Sequence, residues 1–374
     1  MRLSGLTIRH FRNLGSQDLE LPPEGVALIG DNAQGKSNFL EAIYYLETFR
    51  SFRGARDEQL ISFDEDVFRV TGTLEVATED LGVEVVAAAF ERTGKRKKVS
   101  LDGVEPARLA DALGRLAAVV FSPSDIELVS GGPKERRRFL DIVLSLSVPS
   151  YLVALQEYKQ ILRRRNASLK AAYGSAVVMA WNDGLVASGA SVMTTRREWV
   201  ESQHGAFRDY YSRVSGGTPG HMSYRPSVAI ADALTPEAVG DAFREALDMS
   251  TERERRMGTT VVGPHRDDVR LRLGDDSDGL DLRQYGSGGQ HRTAALALRL
   301  VEARTIRESR SKQPLILLDD VFAELDGGRS ERVLDLMETE ETGQVVLTAP
   351  KEDQVRIRRD SLPRWYISNG EITA

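Results

Sequence analysis

The chain has 374 residues, of which 41% are apolar and 28% charged, a composition that suits a globular protein with a substantial core and excludes a mainly disordered one. Single cores stop growing near roughly 250 to 300 residues, so this length predicts a large head plus one further lobe. Zero cysteines exclude disulfides and thiolate metal sites, five scattered histidines exclude an imidazole cluster, and a net charge of −6 excludes coating DNA by charge alone.

No run approaches the ~20 apolar residues of a membrane span, and Met1 to His10 lack the apolar stretch of a signal peptide. The expectation is a cytoplasmic protein with no membrane partner, whose only metal is a nucleotide-bound Mg2+. Three dense basic runs, Lys95 to Lys98, Arg136 to Arg138 and Arg163 to Arg165, fit either a solvated face or a nucleic-acid contact.

Leu6 to Phe11 and Asp18 to Leu21 alternate as strands do, Pro22-Pro23-Glu24-Gly25 turns the chain, and Val26 to Ile29 reads as a short buried strand. A glycine-bounded loop follows, after which Phe39, Leu40, Ile43, Tyr44 and Leu46 recur at helical spacing. Leu74 to Phe90 and Val99 to Leu101 supply further strand-like segments.

From about Gly131 the pattern is helical. Gly131-Gly132-Pro133 places proline where a helix begins, and Val178, Leu185, Val192 and Trp199 recur every seven residues, which predicts helices packed side by side. After the break at Gly216 to Gly220 one more helix is expected over Pro236 to Met249. Alternation resumes at Thr259 and over Val269 to Leu273, where the head is expected to restart. The predicted domains are therefore 1–128 and 257–374 for the head and 129–256 for the helical lobe.

Gly30-Asp31-Asn32-Ala33-Gln34-Gly35-Lys36-Ser37, followed by Asn38, has the phosphate-loop spacing between a strand and a helix. Its glycines let backbone N–H groups wrap phosphates, Lys36 reaches the outer phosphates, and the Ser37 hydroxyl suits Mg2+. Leu315 to Asp320 is an apolar strand ending in two carboxylates, the form of a Walker B strand. Asp319 is expected to hold Mg2+ and Asp320 to orient and deprotonate the attacking water, so Lys36 and Asp320 are the candidate catalytic residues.

Between them lie Ser287, Gly288, Gly289 and Gln290, which open a helical stretch in the manner of an ABC signature and form a second anion site. Because the chain's own loop already cradles its nucleotide, the signature is expected to grip ATP bound to another subunit. Glu324, Leu325 and Asp326 follow Walker B as a D-loop. The order of motifs predicts an α/β fold: an ABC-type P-loop ATPase head, a mixed β-sheet with flanking helices, carrying an inserted, mainly α-helical second lobe.

Three further stretches, with Phe11-Arg12-Asn13, carry a resemblance over nearly the whole chain: Phe121 to Asp141, Thr260 to Asp268 and Leu317 to Asp326. They resemble the RecF family, relatives of the heads of Rad50 and SMC proteins. The resemblance implies an ATP-driven homodimer on double-stranded or gapped DNA, weak DNA-stimulated hydrolysis as the release switch, and work with RecO and RecR in loading recombinase. It also implies that Arg12 and Asn13 lie near the nucleotide. For Arg136, Arg137 and Arg138 a DNA contact and support of the joint between the lobes stand as equal alternatives, and His265 with Arg266 either braces that joint or senses nucleotide.

Two departures qualify the resemblance. Ala349 and Pro350 follow Thr348 where many ABC proteins place a histidine, so slow hydrolysis is expected, and no Q-loop glutamine lies between Leu101 and Asp125. A transporter subunit would share the motif order, but the helical lobe and the Gly-Pro-His-Arg-Asp-Asp stretch disfavour it. An SMC-like structural head would need a long coiled coil, and a nuclease would need a further acidic cluster, whereas Asp275 to Asp278 reads as a hairpin tip.

Overall fold

The computed structural model describes residues 1–76, 82–172, 174–230, 235–274, 279–340, 343–355 and 362–374, and the run at 275–278 lies outside them. Alternation in β1 (Arg2–Arg9) turns Leu3, Leu6 and Ile8 inward, and Phe11 just beyond it forms an isolated bridge with Ile61. Antiparallel pairing joins β1 to β2 (Gln17–Glu20) and to β4 (Val67–Val76), which continues through β5 (Gly82–Glu91) to β6 (Arg96–Leu101). β3 (Gly25–Ile29) leaves this sheet and leads instead into helix α1 (Lys36–Thr48).

β3 belongs to a second sheet with β7 (Ala118–Phe121), β11 (Leu315–Asp319), β12 (Val345–Ala349), β13 (Arg364–Ser368) and β14 (Glu371–Thr373), in the order β14-β13-β3-β12-β11-β7. All pairs are parallel except β13 with β14. Every residue of β3, β7, β11 and β12 is buried, which is why these strands read as continuous apolar runs and not as alternation. Helix α10 (Gly327–Thr339) follows β11, and Asp326 accepts from the Arg329 amide at 2.9 Å as its N-cap.

The chain separates into two compact units, 1–125 with 302–374, and 126–301. The second unit holds α2 (Glu127–Ser130), α3 (Pro133–Ser147), α4 (Pro149–Lys170), α5 (Ser175–Met179), α6 (Asn182–Ser215) and α7 (Pro236–Met257), with α8 (Leu282–Tyr285) and the start of α9 (Gly288–Arg310). Its strands β8 (Gly220–Arg225), β9 (Asp268–Leu273) and β10 (Leu280–Asp281) form their own antiparallel sheet. The alternation at Val269 to Leu273 therefore builds a sheet of this unit. Leu185, Val192 and Trp199 share one long helix, α6, and α7 extends past Met249 to Met257.

Thr259 to Asp267 is no strand; its polar groups satisfy buried partners. Arg165 donates to Glu254 at 2.7 Å and to the Thr260 hydroxyl at 2.8 Å, all three side chains being buried. Arg196, also buried, donates to Tyr151, Asp141 and the Pro264 carbonyl at 2.7 to 2.9 Å. His265 donates from Nε2 to the Thr260 carbonyl and accepts at Nδ1 from Tyr158. Burial lowers its pKa to about 4, so the imidazole is neutral at pH 7 and braces this unit.

In the first unit α1 is buried around most of its circumference, including the charged Glu41 and Glu47. Glu47 Oε2 accepts from the Ala117 amide at 2.8 Å, Oε1 has no hydrogen-bond partner among the described residues, and Glu302 and Arg310 are the charges that act on it. Desolvation is the largest influence and raises its pKa from 4.5 to about 7. A carboxyl raised in the folded state favours folding most below its unfolded pKa, and that advantage is lost as pH rises toward about 7. Glu47→Gln should therefore abolish a loss of roughly 3 kcal/mol between pH 5 and 8. Urea midpoints across that range decide it; parallel pH profiles for the two proteins would refute the assignment.

Candidate functional site

β3 ends at Ile29, and the Gly30 amide donates to Ala349 on neighbouring β12 at 3.2 Å, so the loop starts from a fixed point at the carboxyl end of the sheet. Gly35 has φ 117, a left-handed value that an L side chain resists, and a Cβ there would stand 3.0 Å from Asn13 Oδ1. It caps α1 without a side-chain hydrogen bond, which leaves the first helical amides directed at the loop. The buried Lys36 ammonium donates to the Gly30 carbonyl at 2.7 Å and the Asp31 carbonyl at 3.1 Å, folded across the loop it closes.

Ser37 Oγ donates to Asp319 Oδ1 at 2.7 Å, joining the two expected magnesium ligands although 282 positions separate them. Burial raises the Asp319 pKa, the Ser37 hydrogen bond opposes that, and the Asp320 charge adds to it. Two adjacent carboxylates and a hydroxyl form a hard oxygen donor set, a fit for Mg2+.

Asp320 sits in the left-handed region at φ 47. Its amide donates to Thr348 Oγ1 at 3.0 Å, and that hydroxyl lies 3.3 Å from Asp319 Oδ1 and 3.5 Å from Asp320 Oδ1. Strand register pairs Asp319 with Thr348 directly. Thr348 stands just before the place after β12 where a histidine is the usual expectation, and its only signal in sequence is a hydroxyl at the end of an apolar strand.

Asn13 accepts from Asn38 at 2.7 Å and donates to the Ala33 carbonyl at 3.4 Å, which laces the loop to α1. Arg12 donates to both oxygens of Glu41, at 2.9 and 3.1 Å, and to the Gln59 carbonyl at 3.0 Å. Ser51 also donates to Glu41, and Arg53 stands 3.9 Å from it while donating to Asn38 at 2.9 Å. On the other flank Gln34 accepts from the amides of Asn369 and Gly370 at 2.6 and 3.0 Å, so the β13–β14 turn buttresses the loop. Glu41, Arg53 and this turn carry no motif and were invisible in sequence.

The signature lies in the second unit. Ser287 Oγ accepts from the Gln290 amide at 3.3 Å and Gln290 Oε1 from the Ser287 amide at 2.8 Å, a reciprocal cap at the start of α9. Ser287 and Gly288 are exposed, and nothing stands within 4 Å of a Cβ built on Gly288. Of the three arginines for which a DNA contact and a structural joint stand as equal alternatives, Arg136 is only 4% exposed and grips Asp268 with two hydrogen bonds at 2.7 and 3.0 Å. Its guanidinium faces inward and is taken up by Asp268, away from any DNA contact. Arg137 donates to the Asp267 carbonyl at 2.6 Å, and neither it nor Arg138 is fully exposed.

The RecF/RecN/SMC N terminal domain family model matches residues 2–373. The DNA replication and repair protein RecF of Halalkalibacterium halodurans is 37% identical over 339 residues, 89% of this chain and 89% of the relative. A solved structure of the recombination mediator protein RecF with ATP, in the RecFOR pathway, matches with a TM-score of 0.90 at 30% identity, over 100% of this chain and 97% of that one. An Smc head domain from Pyrococcus furiosus with an extended coiled coil matches with a TM-score of 0.56 at 17% identity, over 100% and 95% of the two chains, a likeness of fold alone.

Glu41 is fully buried whereas Arg12 is 22% exposed, so removing the arginine strands a carboxylate inside the protein. Arg12→Ala should lower stability by about 2 to 3 kcal/mol, with Ser51 and Arg53 retained as partial partners, and adding Glu41→Gln should recover most of it. Equilibrium urea unfolding of the single and double variants measures this. No recovery in the double variant would detach Arg12 from Glu41.

Proposed function

The chain belongs to the RecF family, and from that premise we propose that it is an ATP-dependent DNA-binding protein of recombinational repair and replication restart. Two copies close into a clamp on duplex or gapped DNA when ATP is bound, and slow, DNA-stimulated hydrolysis reopens it. The observation that carries this reading is the convergence of Lys36, Ser37 and Asp319 at one loop and one strand end. The membership adds DNA, recombinase loading and RecO- and RecR-like mediators as partners. Among the described residues no helix is long and apolar enough to cross a membrane.

Loop amides and Lys36 hold the phosphates of ATP, Lys36 exchanging the Gly30 and Asp31 carbonyls for phosphate oxygens. Ser37 and Asp319 would hold Mg2+, which would supply positive charge beside the transferred phosphoryl group. Asp320 takes the proton of the attacking water, and Thr348 holds the Asp320 backbone in the strained turn that aims its carboxylate. The partner's signature, Ser287 to Gln290, completes the site through the exposed start of α9, with the D-loop at Glu324, Leu325 and Asp326 crossing beside it.

Lys36→Arg should bind ATP yet hydrolyse it poorly, and Ser287→Arg should bind ATP yet stay monomeric, as read by light scattering and by retention on gapped DNA. A dimeric, active Ser287→Arg protein would sink the composite site. Thr348→Val, which keeps shape and loses the hydroxyl, should lower turnover about tenfold with ATP affinity unchanged. Unchanged turnover would remove Thr348 from the mechanism.

A further inference from the structure

A separate concentration of charge occupies the 126–301 unit. Arg165 of α4 and Glu254 of α7, both almost fully buried, meet at 2.7 Å and pin the two helices at that level. A Cβ on Gly258 would lie 3.7 Å from the Lys170 Cα, so the helices also finish side by side. Since a helix rises about 1.5 Å per residue, side chains within five positions of the pin crowd within about 8 Å along each axis. Arg163, Arg164 and Lys170 on α4 and Arg253, Arg255 and Arg256 on α7 fall in that window, and all are exposed. Arg266, also exposed, joins them by donating to the carbonyl of Thr260, the residue whose hydroxyl Arg165 holds.

Against these seven cations the same stretches expose one carboxylate, Glu252, which pairs with Arg255 at 3.2 Å. Helix-end stabilisation accounts for part of the pattern, because Lys170, Arg255 and Arg256 lie in last turns. It does not account for Arg163, Arg164, Arg253 and Arg266, which lie outside them. In a chain of net charge −6, a local excess of this size is a focused field for a polyanion. Six of the seven cations are arginines, whose planar donors match phosphate oxygens.

We propose that this patch, formed by the C-terminal turns of α4 and α7 with Arg266, binds the phosphodiester backbone of duplex DNA. The proposal rests on the reading of the chain as a DNA-binding protein and gives that activity a place. With charge as the means of recognition, the contact is independent of base sequence and weakens steeply with salt.

The test uses the full chain with ATP, measuring fluorescence anisotropy of labelled duplex DNA over a salt series. Two variants are compared with the unaltered protein: Arg163→Glu with Arg253→Glu and Arg256→Glu, and the milder Arg253→Gln with Arg256→Gln. The triple reversal should weaken binding at least about tenfold near 0.1 M salt and lower the salt slope by roughly 3, the double neutralisation by roughly 2. ATP hydrolysis without DNA should be unchanged in both. If the unaltered protein binds duplex and both variants match it in affinity and slope, the patch is wrong while the DNA-binding reading stands. If the unaltered protein retains no duplex with ATP, both fall.

Discussion

Ser37 reaches Asp319 because β3 and β11 flank β12 in one parallel sheet, and the three strands end at the same level. Parallel register sets that level: Thr348 stands opposite both Leu28 and Asp319, so the loop, the carboxylates and the hydroxyl emerge from one edge. A shift of one residue in any of the three strands would turn its functional end group to the other face. The apolar filling of this sheet therefore does more than stabilise the head. It fixes, to within a hydrogen-bond length, where charged groups far apart in sequence meet.

Around that edge the protein spends polar groups on position. Glu41 inside α1 gathers Arg12, Ser51 and Arg53, and Arg53 passes the constraint on to Asn38, Asn38 to Asn13, and Asn13 to the loop carbonyl of Ala33. The Glu41 end of this network is buried, where a member left unpaired is costly in a low dielectric, while the links through Arg53, Asn38 and Asn13 run at the surface. The 126–301 unit uses the same device at larger scale, with Arg165 and Arg196 drawing the Thr260 to Asp267 segment against α4 and α6.

The phosphate loop, the Walker B strand and the signature helix were legible in sequence because each couples a backbone requirement to a short string of residue types. Helix α3 was legible from its proline, and α1 from its apolar spacing. The same spacing concealed Glu41 and Glu47, since a helix buried nearly all round gives no polar face against which a buried charge would stand out. Alternation at Thr259 misled for a related reason: those polar residues alternate to meet buried partners and not solvent. The run Arg136 to Arg138 likewise reads as one basic patch, yet only the fold, by placing Asp268 opposite Arg136, decides which guanidinium turns inward.

Gln34 is tied to Asn369 across 335 positions. Closing so long a loop requires almost all of the polypeptide, whereas the pairs of the 126–301 unit form within one continuous segment. During synthesis that segment can fold while the strands completing the head are still unmade. The loop at Gly30 to Ser37 is therefore held by residues translated long after it, and it is fixed only once the β13–β14 hairpin has docked.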